Sequence, residues 1–201
     1  MRNETIDLTK LTGGIGSYSK AITHLHSFYL YDVTDPSDYT DWFDTIRNAS
    51  ENDIIKIHIN SPGGNLLTTI QLMRALNESA ATIVCSVEGE CMSAATMIFL
   101  QADLIEVSEH SMFMFHNYSG GTFGKGGEMM DQLKYESAWS EKLLRSVYED
   151  FLTEDEIGMM LNNKDLWMDG DEVAERMKLR ADKAKARLEE GESEDEVGDQ
   201  G

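Results

Sequence analysis

Basic residues are scarce in this 201-residue sequence. It contains 17 lysines and arginines against 37 aspartates and glutamates, which gives a formal net charge of −20. Nucleic-acid phosphates and anionic membrane surfaces are bound by clusters of Lys and Arg. The composition therefore argues against a general affinity for either kind of surface.

Cysteines and long apolar runs are also rare. Cys85 and Cys91 are the two cysteines, and their position near one predicted strand favours reduced thiols in a cytoplasmic protein. Residues 1–20 lack the apolar core of a signal peptide, and no segment approaches the roughly 20 apolar residues of a membrane span. We expect no membrane association, no metal site and no cofactor.

The domain organisation follows from length and local composition. A chain of this length with 41% apolar residues can bury one sizeable core. We predict a flexible segment over residues 1–25, one domain over 26–188 and an acidic tail over 189–201. The tail has seven acidic residues and no basic one, which favours disorder, either as a solubilising segment or as a ligand for a basic partner.

Strand and helix signals alternate from residue 26 onward, which predicts an α/β fold. One such unit contains the first candidate site, Ser93. It stands between a predicted strand over 82–87 with a glycine-bearing turn and an apolar helix over 94–100. A helix N-terminus favours developing negative charge, as a nucleophile requires. The alternative is that Ser93 only caps the helix.

A second candidate site is the sequence Asn-Ser-Pro-Gly-Gly-Asn at 60–65. It follows an alternating strand over 55–59 and precedes a helical pattern over 66–76. Proline restricts one dihedral and the glycines allow unusual ones, so backbone N–H groups can point into a cleft. The turn is a candidate oxyanion hole; the alternative is an ordinary strand-to-helix turn.

The third candidate is His116, at the end of a short apolar strand. Two such strands flank a polar turn at 108–111, and a glycine-rich run over 119–127 follows the histidine. A histidine at a strand end is well placed to act as a general base. A structural histidine is the alternative.

Taken in order, these motifs resemble the Clp protease proteolytic subunit family. The matching features are Asn-Ser-Pro-Gly-Gly at 60–64, Gly-x-x-x-Ser at 89–93, Met-Phe-His at 114–116 with Gly120-Gly121 after it, and Asp-Leu-Trp at 165–167. Their separations are also similar to those of the family, and the resemblance covers roughly residues 26–180. It implies a ClpP/crotonase-like fold of repeated β-β-α units with a protruding strand-helix handle.

The resemblance implies a serine endopeptidase that works through an acyl-enzyme. Ser93 matches the nucleophile, His116 the general base and Asp165 the acid that orients the histidine, with Asp169 and Asp171 as rivals of Asp165 in the same acidic loop. The implied oxyanion donors are the backbone N–H groups of Gly64, with Gly63 as the alternative, and of Ala94. The family usually carries methionine at the position of Ala94, but a backbone donor tolerates that change.

The resemblance further implies homo-oligomeric rings, polypeptide substrates and an AAA+ ATPase unfoldase as partner. A predicted helix over 128–152 carries apolar residues on more than one face, as subunit packing would require, and the glycine-rich run before it suits an edge strand. The divergent N-terminal region and acidic tail depart from bacterial Clp subunits and favour a viral or otherwise atypical member. A crotonase-like acyl-CoA enzyme and a catalytically silent ring subunit are the alternative functions.

Overall fold

The computed structural model describes residues 24–198, and the surroundings of their side chains up to Arg187. The chain divides after Phe115 into two compact units, which are described in turn. Residues 1–23 of the predicted flexible segment lie outside the described residues, as do the last three residues of the tail. The predicted domain limits at 26 and 188 stay a prediction.

The described part of the first unit contains five strands, three α-helices and a short 3-10 helix over Pro36–Tyr39. In chain order, the other elements are β1 (Leu25–Leu30), α1 (Thr40–Asn48), β2 (Ile54–Ser61), α2 (Leu66–Glu78), β3 (Thr82–Met92), α3 (Ala94–Phe99), β4 (Leu104–Val107) and β5 (Met112–Phe115). This alternation confirms the predicted α/β class.

The strands of the first unit form a parallel sheet. β1 pairs with β2 and β2 with β3. The long strand β3 then has two neighbours on its other edge, because β4 runs beside Val84–Val87 and β5 beside Glu90–Met92. The C-terminal end of β5 therefore lies next to the C-terminal end of β3, where Ser93 follows.

The alternating pattern of β2 explains where the core forms. Ile55, Ile57 and Ile59 are fully buried, whereas Lys56 and His58 between them point to the other face of the sheet. The helices contribute apolar side chains to the core: Phe43 and Ile46 from α1, and Leu72, Ala75 and Leu76 from α2. Burial of apolar side chains on this scale is the main stabilising contribution to the fold.

Strand β3 differs from its prediction in length. The sequence predicts a strand that ends at residue 87 and a turn around Gly89, but β3 continues to Met92. The pairing of Ser61 with Cys91, after a register shift in β2, carries the ladder past the glycine. The predicted turn is therefore wrong, and Ser93 follows directly on a strand.

The described part of the second unit contains α4 (Gly126–Tyr148), α5 (Glu154–Leu161), β6 (Leu166–Asp169) and α6 (Gly170–Gly198). Helix α5 begins with a capping box between Thr153 and Glu156. Arg176 of α6 holds the same glutamate through bonds of 2.8 and 2.7 Å. These bonds tie α5 to α6.

The N-terminal half of α4 and the segment before it are exposed. Phe123, Met130 and Tyr135 are 101%, 56% and 72% exposed, and only Ser140, Leu144 and Tyr148 of this helix are buried in the chain. Residues 119–125 form no strand. An edge strand forms only when its backbone hydrogen bonds have a partner strand. Pairing of residues 119–125 with another copy therefore stays a prediction.

Helix α6 includes part of the predicted acidic tail. Its backbone is helical up to Gly198, which differs from the disorder expected from residue 189. Glutamate has a high intrinsic helix propensity, so a glutamate-rich segment can continue a helix despite its charge.

Candidate active site

Ser93 forms the sharp junction between β3 and α3. Its backbone has φ 52° and ψ −126°, a sparsely populated combination for any residue except glycine. Its N–H donates to the Met114 carbonyl of β5 at 2.8 Å. Its own carbonyl accepts from the Thr96 N–H at 3.0 Å and from Thr96 Oγ1 at 2.6 Å. The strained conformation is thus held from both sides.

The side chain of Ser93 does not cap α3, although the residue occupies the N-cap position. An N-cap serine normally accepts a hydrogen bond from the second or third helical N–H. The alternative in which Ser93 serves only as a cap is therefore wrong. A half-buried hydroxyl on a strained strand-to-helix turn is typical of a nucleophile elbow.

The Pro-Gly-Gly turn packs its backbone directly against this elbow. Gly63 has φ 104°, and a Cβ at this position would lie 2.8 Å from Ser93 Cβ and 2.9 Å from the Ala94 nitrogen. No side chain fits there, so glycine is required for the close approach. The structure therefore brings together three of the predicted site residues, Ser93, Gly63 and Ala94.

The N–H groups of the two glycines have different surroundings. The Gly63 N–H donates to Ser61 Oγ at 3.1 Å, and Ser61 is fully buried. Among residues 24–198, no acceptor takes up the Gly64 N–H. Gly64 is itself held at φ 141° against the backbone of Val33, where a Cβ would lie 2.2 Å from the carbonyl oxygen. Gly64 thus fits the donor role better than Gly63.

Ala94 is the first residue of α3. The N–H groups in the first turn of a helix have no partner within the helix, so this group can donate to a ligand. Backbone N–H groups near a serine hydroxyl are the elements that stabilise the oxyanion of an acyl-transfer reaction.

Asn60 connects the two glycine motifs, a role that sequence reasoning missed. Its Oδ1 accepts the Glu90 N–H at 3.1 Å. A Cβ at Gly89 would lie 2.5 Å from the same oxygen. Glycine at position 89 therefore leaves space for the Asn60 amide, and it does not form a turn. The signal was available, since Asn60 is the first residue of the first motif and Gly89 is the first residue of the second.

His116 is the first residue of the second unit and is half-buried. It follows Phe115, the last residue of β5. The pairing of Met114 with Met92 places Phe115 level with Ser93 at the same edge of the sheet. The predicted base thus comes one residue after a strand that runs beside the predicted nucleophile.

Asp165 lies in the second unit, exposed, immediately before β6. The segment next to His116 is bonded to the turn that leads to Asp165: Asn117 Nδ2 donates to the Leu161 carbonyl at 3.2 Å and to Asn163 Oδ1 at 3.1 Å. The structure therefore brings the chain segments of the predicted base and acid side by side.

The rival carboxylates have other positions. Asp169 ends β6, and its Oδ1 accepts the Glu172 N–H at 2.9 Å, which stabilises the start of α6. Asp171 lies in the first turn of α6, where a negative charge interacts favourably with the helix dipole. Both rivals have structural roles at the helix terminus, which favours Asp165 as the acid.

Cysteine does not compete with Ser93 as a nucleophile. Burial raises the pKa of Cys85 to about 12 and that of Cys91 well above its usual value. Both are free and fully buried, and a thiol attacks only as the thiolate.

Among residues 24–198, no three His, Cys, Asp or Glu side chains group as metal ligands. No helix of that range has the length and hydropathy of a membrane span.

One comparison with known protein families identifies a match. The model of the Clp protease family matches residues 32–176, a range that begins just after β1 and includes all the candidate site residues. No curated protein matches the chain. Because the family model covers more than half of the sequence, the chain belongs to the Clp protease family, a family of peptidases.

Proposed function

We propose that this protein is a serine endopeptidase that cleaves polypeptides through Ser93, His116 and Asp165. The observation that carries the proposal is the strained elbow at Ser93, with Gly63 and the Ala94 nitrogen packed against it. Strain of this kind is kept only where the surrounding structure enforces it, and it is concentrated at functional sites. A core serine without a reaction to perform would not need it.

The proposed reaction proceeds in two halves. His116 takes the proton from Ser93 Oγ as that oxygen attacks the carbonyl carbon of the scissile peptide bond. The C–N bond then breaks, the leaving amine takes the proton from His116, and the acyl group stays on Ser93. Water, deprotonated by His116, attacks the acyl-enzyme, and the carboxylic acid product leaves as the proton returns to Ser93.

Backbone N–H groups of Gly64 and Ala94 stabilise the negative oxygen of each tetrahedral intermediate in this proposal. Removing one such donor in other hydrolases costs on the order of 100- to 1000-fold in kcat. Asp165 holds the imidazole of His116 in the productive tautomer. Its exposed position before β6 leaves its oxygens accessible for that bond.

Members of the family generally form oligomeric rings and work with unfoldases. We propose the same for this chain, with the exposed apolar side chains of α4 in a contact between copies. Phe123, Met130 and Tyr135 are large and exposed, and an apolar patch of this kind is an aggregation liability in a monomer. Burial of these side chains in a ring would remove it. The free, buried cysteines suit a reducing, cytoplasmic setting.

The test of the proposed function is cleavage of a fluorogenic peptide by the purified protein and by Ser93→Ala. We expect the variant to lose activity by several powers of ten while assembly is unchanged, because only the attacking oxygen is removed. Ser146→Ala is the matched control: Ser146 is exposed and bonds only the Leu143 carbonyl within α4. Retained activity in Ser93→Ala would refute the nucleophile.

A further inference from the structure

Asn117, the residue after His116, is bonded to the turn before Asp165. We propose that Asn117 is a positioning residue that sets the placement of His116 relative to Asp165, an inference that rests on the proposed function. Its side chain reaches the Leu161 carbonyl and Asn163 Oδ1. These two acceptors belong to the last residue of α5 and the turn that follows it.

The bonds of Asn117 determine the orientation of its amide. Nδ2 donates to Leu161 O at 3.2 Å and to Asn163 Oδ1 at 3.1 Å, while Oδ1 accepts the Tyr118 N–H at 2.9 Å. Exchanging the amide oxygen and nitrogen would set acceptor against acceptor at two positions and donor against donor at the third. The amide therefore has one orientation, and the backbone at residues 117 and 118 is held with it.

The other side of this link is a rigid turn. Asn163 has φ 63°, its N–H donates to Met160 O at 2.9 Å, and the Lys164 N–H donates to Met159 O at 3.1 Å. These two bonds are the Schellman motif that ends a helix with a left-handed residue. Asp165 comes two residues after Asn163, so the turn determines where the chain of the proposed acid begins.

Helix α5 behind the turn is also fixed. Its capping box at Thr153 holds the first turn, and Arg176 binds Glu156 through two bonds. On the other side of Asn117, residues 119–125 have no regular secondary structure. Asn117 thus attaches the start of an irregular segment, with His116 immediately before it, to a well-supported turn.

This attachment matters because a carboxylate assists a histidine only in the correct geometry. Misplacement by about 1 Å can cost on the order of 100-fold in rate. Asn117 touches neither substrate nor the reacting atoms in the proposed mechanism, so its effect would pass through His116 and Asp165. The competing interpretation is that Asn117 only caps the end of α5, since the last carbonyls of a helix lack partners within it.

Peptidase kinetics of the full-length protein distinguish positioning from capping. We expect Asn117→Ala to lower kcat by about tenfold with KM unchanged. Asn163→Gly should lower it less, by a few-fold, because glycine keeps the left-handed turn but removes one of the two acceptors. Asn162→Ala is the matched control in the same turn, since its Nδ2 bonds only Gly158 within α5; it should leave kcat unchanged.

The sharper test repeats Asn117→Ala in the Asp165→Asn protein and follows fluorophosphonate labelling of Ser93. If Asn117 acts through Asp165, Asn117→Ala should change the labelling rate less than twofold in the Asp165→Asn protein. In the wild-type background, the same substitution should change the labelling rate about tenfold. Equal, independent losses in both backgrounds would overturn the positioning role.

Two further outcomes separate this inference from the proposed function. An active wild type in which Asn117→Ala has unchanged kcat but a lowered unfolding midpoint overturns the positioning role alone and assigns Asn117 to capping. A wild type that assembles but neither cleaves peptides nor labels at Ser93 overturns the proposed function and, with it, any role of Asn117 in catalysis.

Discussion

Two substitutions of the proposed nucleophile should differ in stability because of the strained backbone. Ser93→Ala and Ser93→Gly both remove the attacking oxygen, so both should be inactive. Only the alanine variant keeps a Cβ at φ 52° and ψ −126°. The difference between the two free energies of unfolding therefore reports the strain at this one residue.

The expected difference follows from two opposing effects. A residue in a sparsely populated backbone region costs about 1–3 kcal/mol, whereas glycine loses about 0.5–1 kcal/mol more conformational entropy than alanine on folding. Ser93→Gly should thus be more stable than Ser93→Ala by about 1 kcal/mol, the difference between the middles of these two ranges. For a chain of this size, each kcal/mol corresponds to about 2–4 °C in Tm.

Urea unfolding followed by tryptophan fluorescence measures this difference. Both variants are compared at one protein concentration, because assembly adds apparent stability by mass action. The same m-value in both would show that the unfolded states are comparable. An alanine variant that is as stable as the glycine variant, or more so, would refute a strained elbow.

Three further predictions follow from the site and the second unit. Asp165→Asn should lower kcat by about four powers of ten by leaving the histidine in the wrong tautomer, whereas Asp169→Asn should have little effect because asparagine also caps a helix. Tyr135→Asp should shift the protein toward monomer in light scattering, because it places a charge in the proposed contact between copies. The side-chain bonds from Arg176 lower the pKa of Glu156 from 4.5 to about 2. The ionised Glu156 therefore stabilises the folded protein fully above about pH 4.5, and this stabilisation is lost as the pH falls through about 2. Glu156→Gln should remove this part of the pH dependence of the urea midpoint.

Each of these predictions has a control and a contrary result. An Asp169→Asn variant that is as inactive as the Asp165→Asn variant would show that Asp165 is the wrong choice for the acid. Ser137→Asp adds the same charge at another exposed position of α4, and equal dissociation by both substitutions would indicate charge repulsion rather than a lost contact. Glu175→Gln on α6 should leave the pH profile unchanged; if it has the effect of Glu156→Gln, the ion pair is not the cause.

The predictable part of the fold is the part with strong local periodicity. The alternation of isoleucines in β2 and the apolar spacing of α2 placed both elements close to their observed bounds, Ile54–Ser61 and Leu66–Glu78. These signals depend only on which face of an element is buried, and that is encoded in neighbouring residues.

The part of the site that sequence reasoning missed depends on contacts between distant residues. Gly89 suggested a turn, but its real constraint is the amide of Asn60, which lies far from it in the sequence. Asn117 carried no local signal, because its partners, Leu161 and Asn163, come more than forty residues later. Propensity describes a residue's own backbone, whereas these side chains are determined by the register of the sheet and the end of a helix.

The strain at Ser93 shows the same limit in another form. A serine before a helix predicts a cap, and the local sequence agrees with that prediction. The positive φ arises because β3 extends to Met92 and because the Ser93 N–H is bonded to β5. Tertiary structure thus imposes a conformation that the local sequence disfavours, and such positions are where function is expected.

The most direct test of the proposed triad is to locate the adduct that a fluorophosphonate forms with the assembled protein. We expect intact mass to show one adduct per chain and peptide mapping to place it at Ser93, with labelling slowed by several powers of ten in His116→Ala because the hydroxyl then lacks its base. An adduct at another serine, or labelling at the same rate in His116→Ala, would contradict the proposed active site.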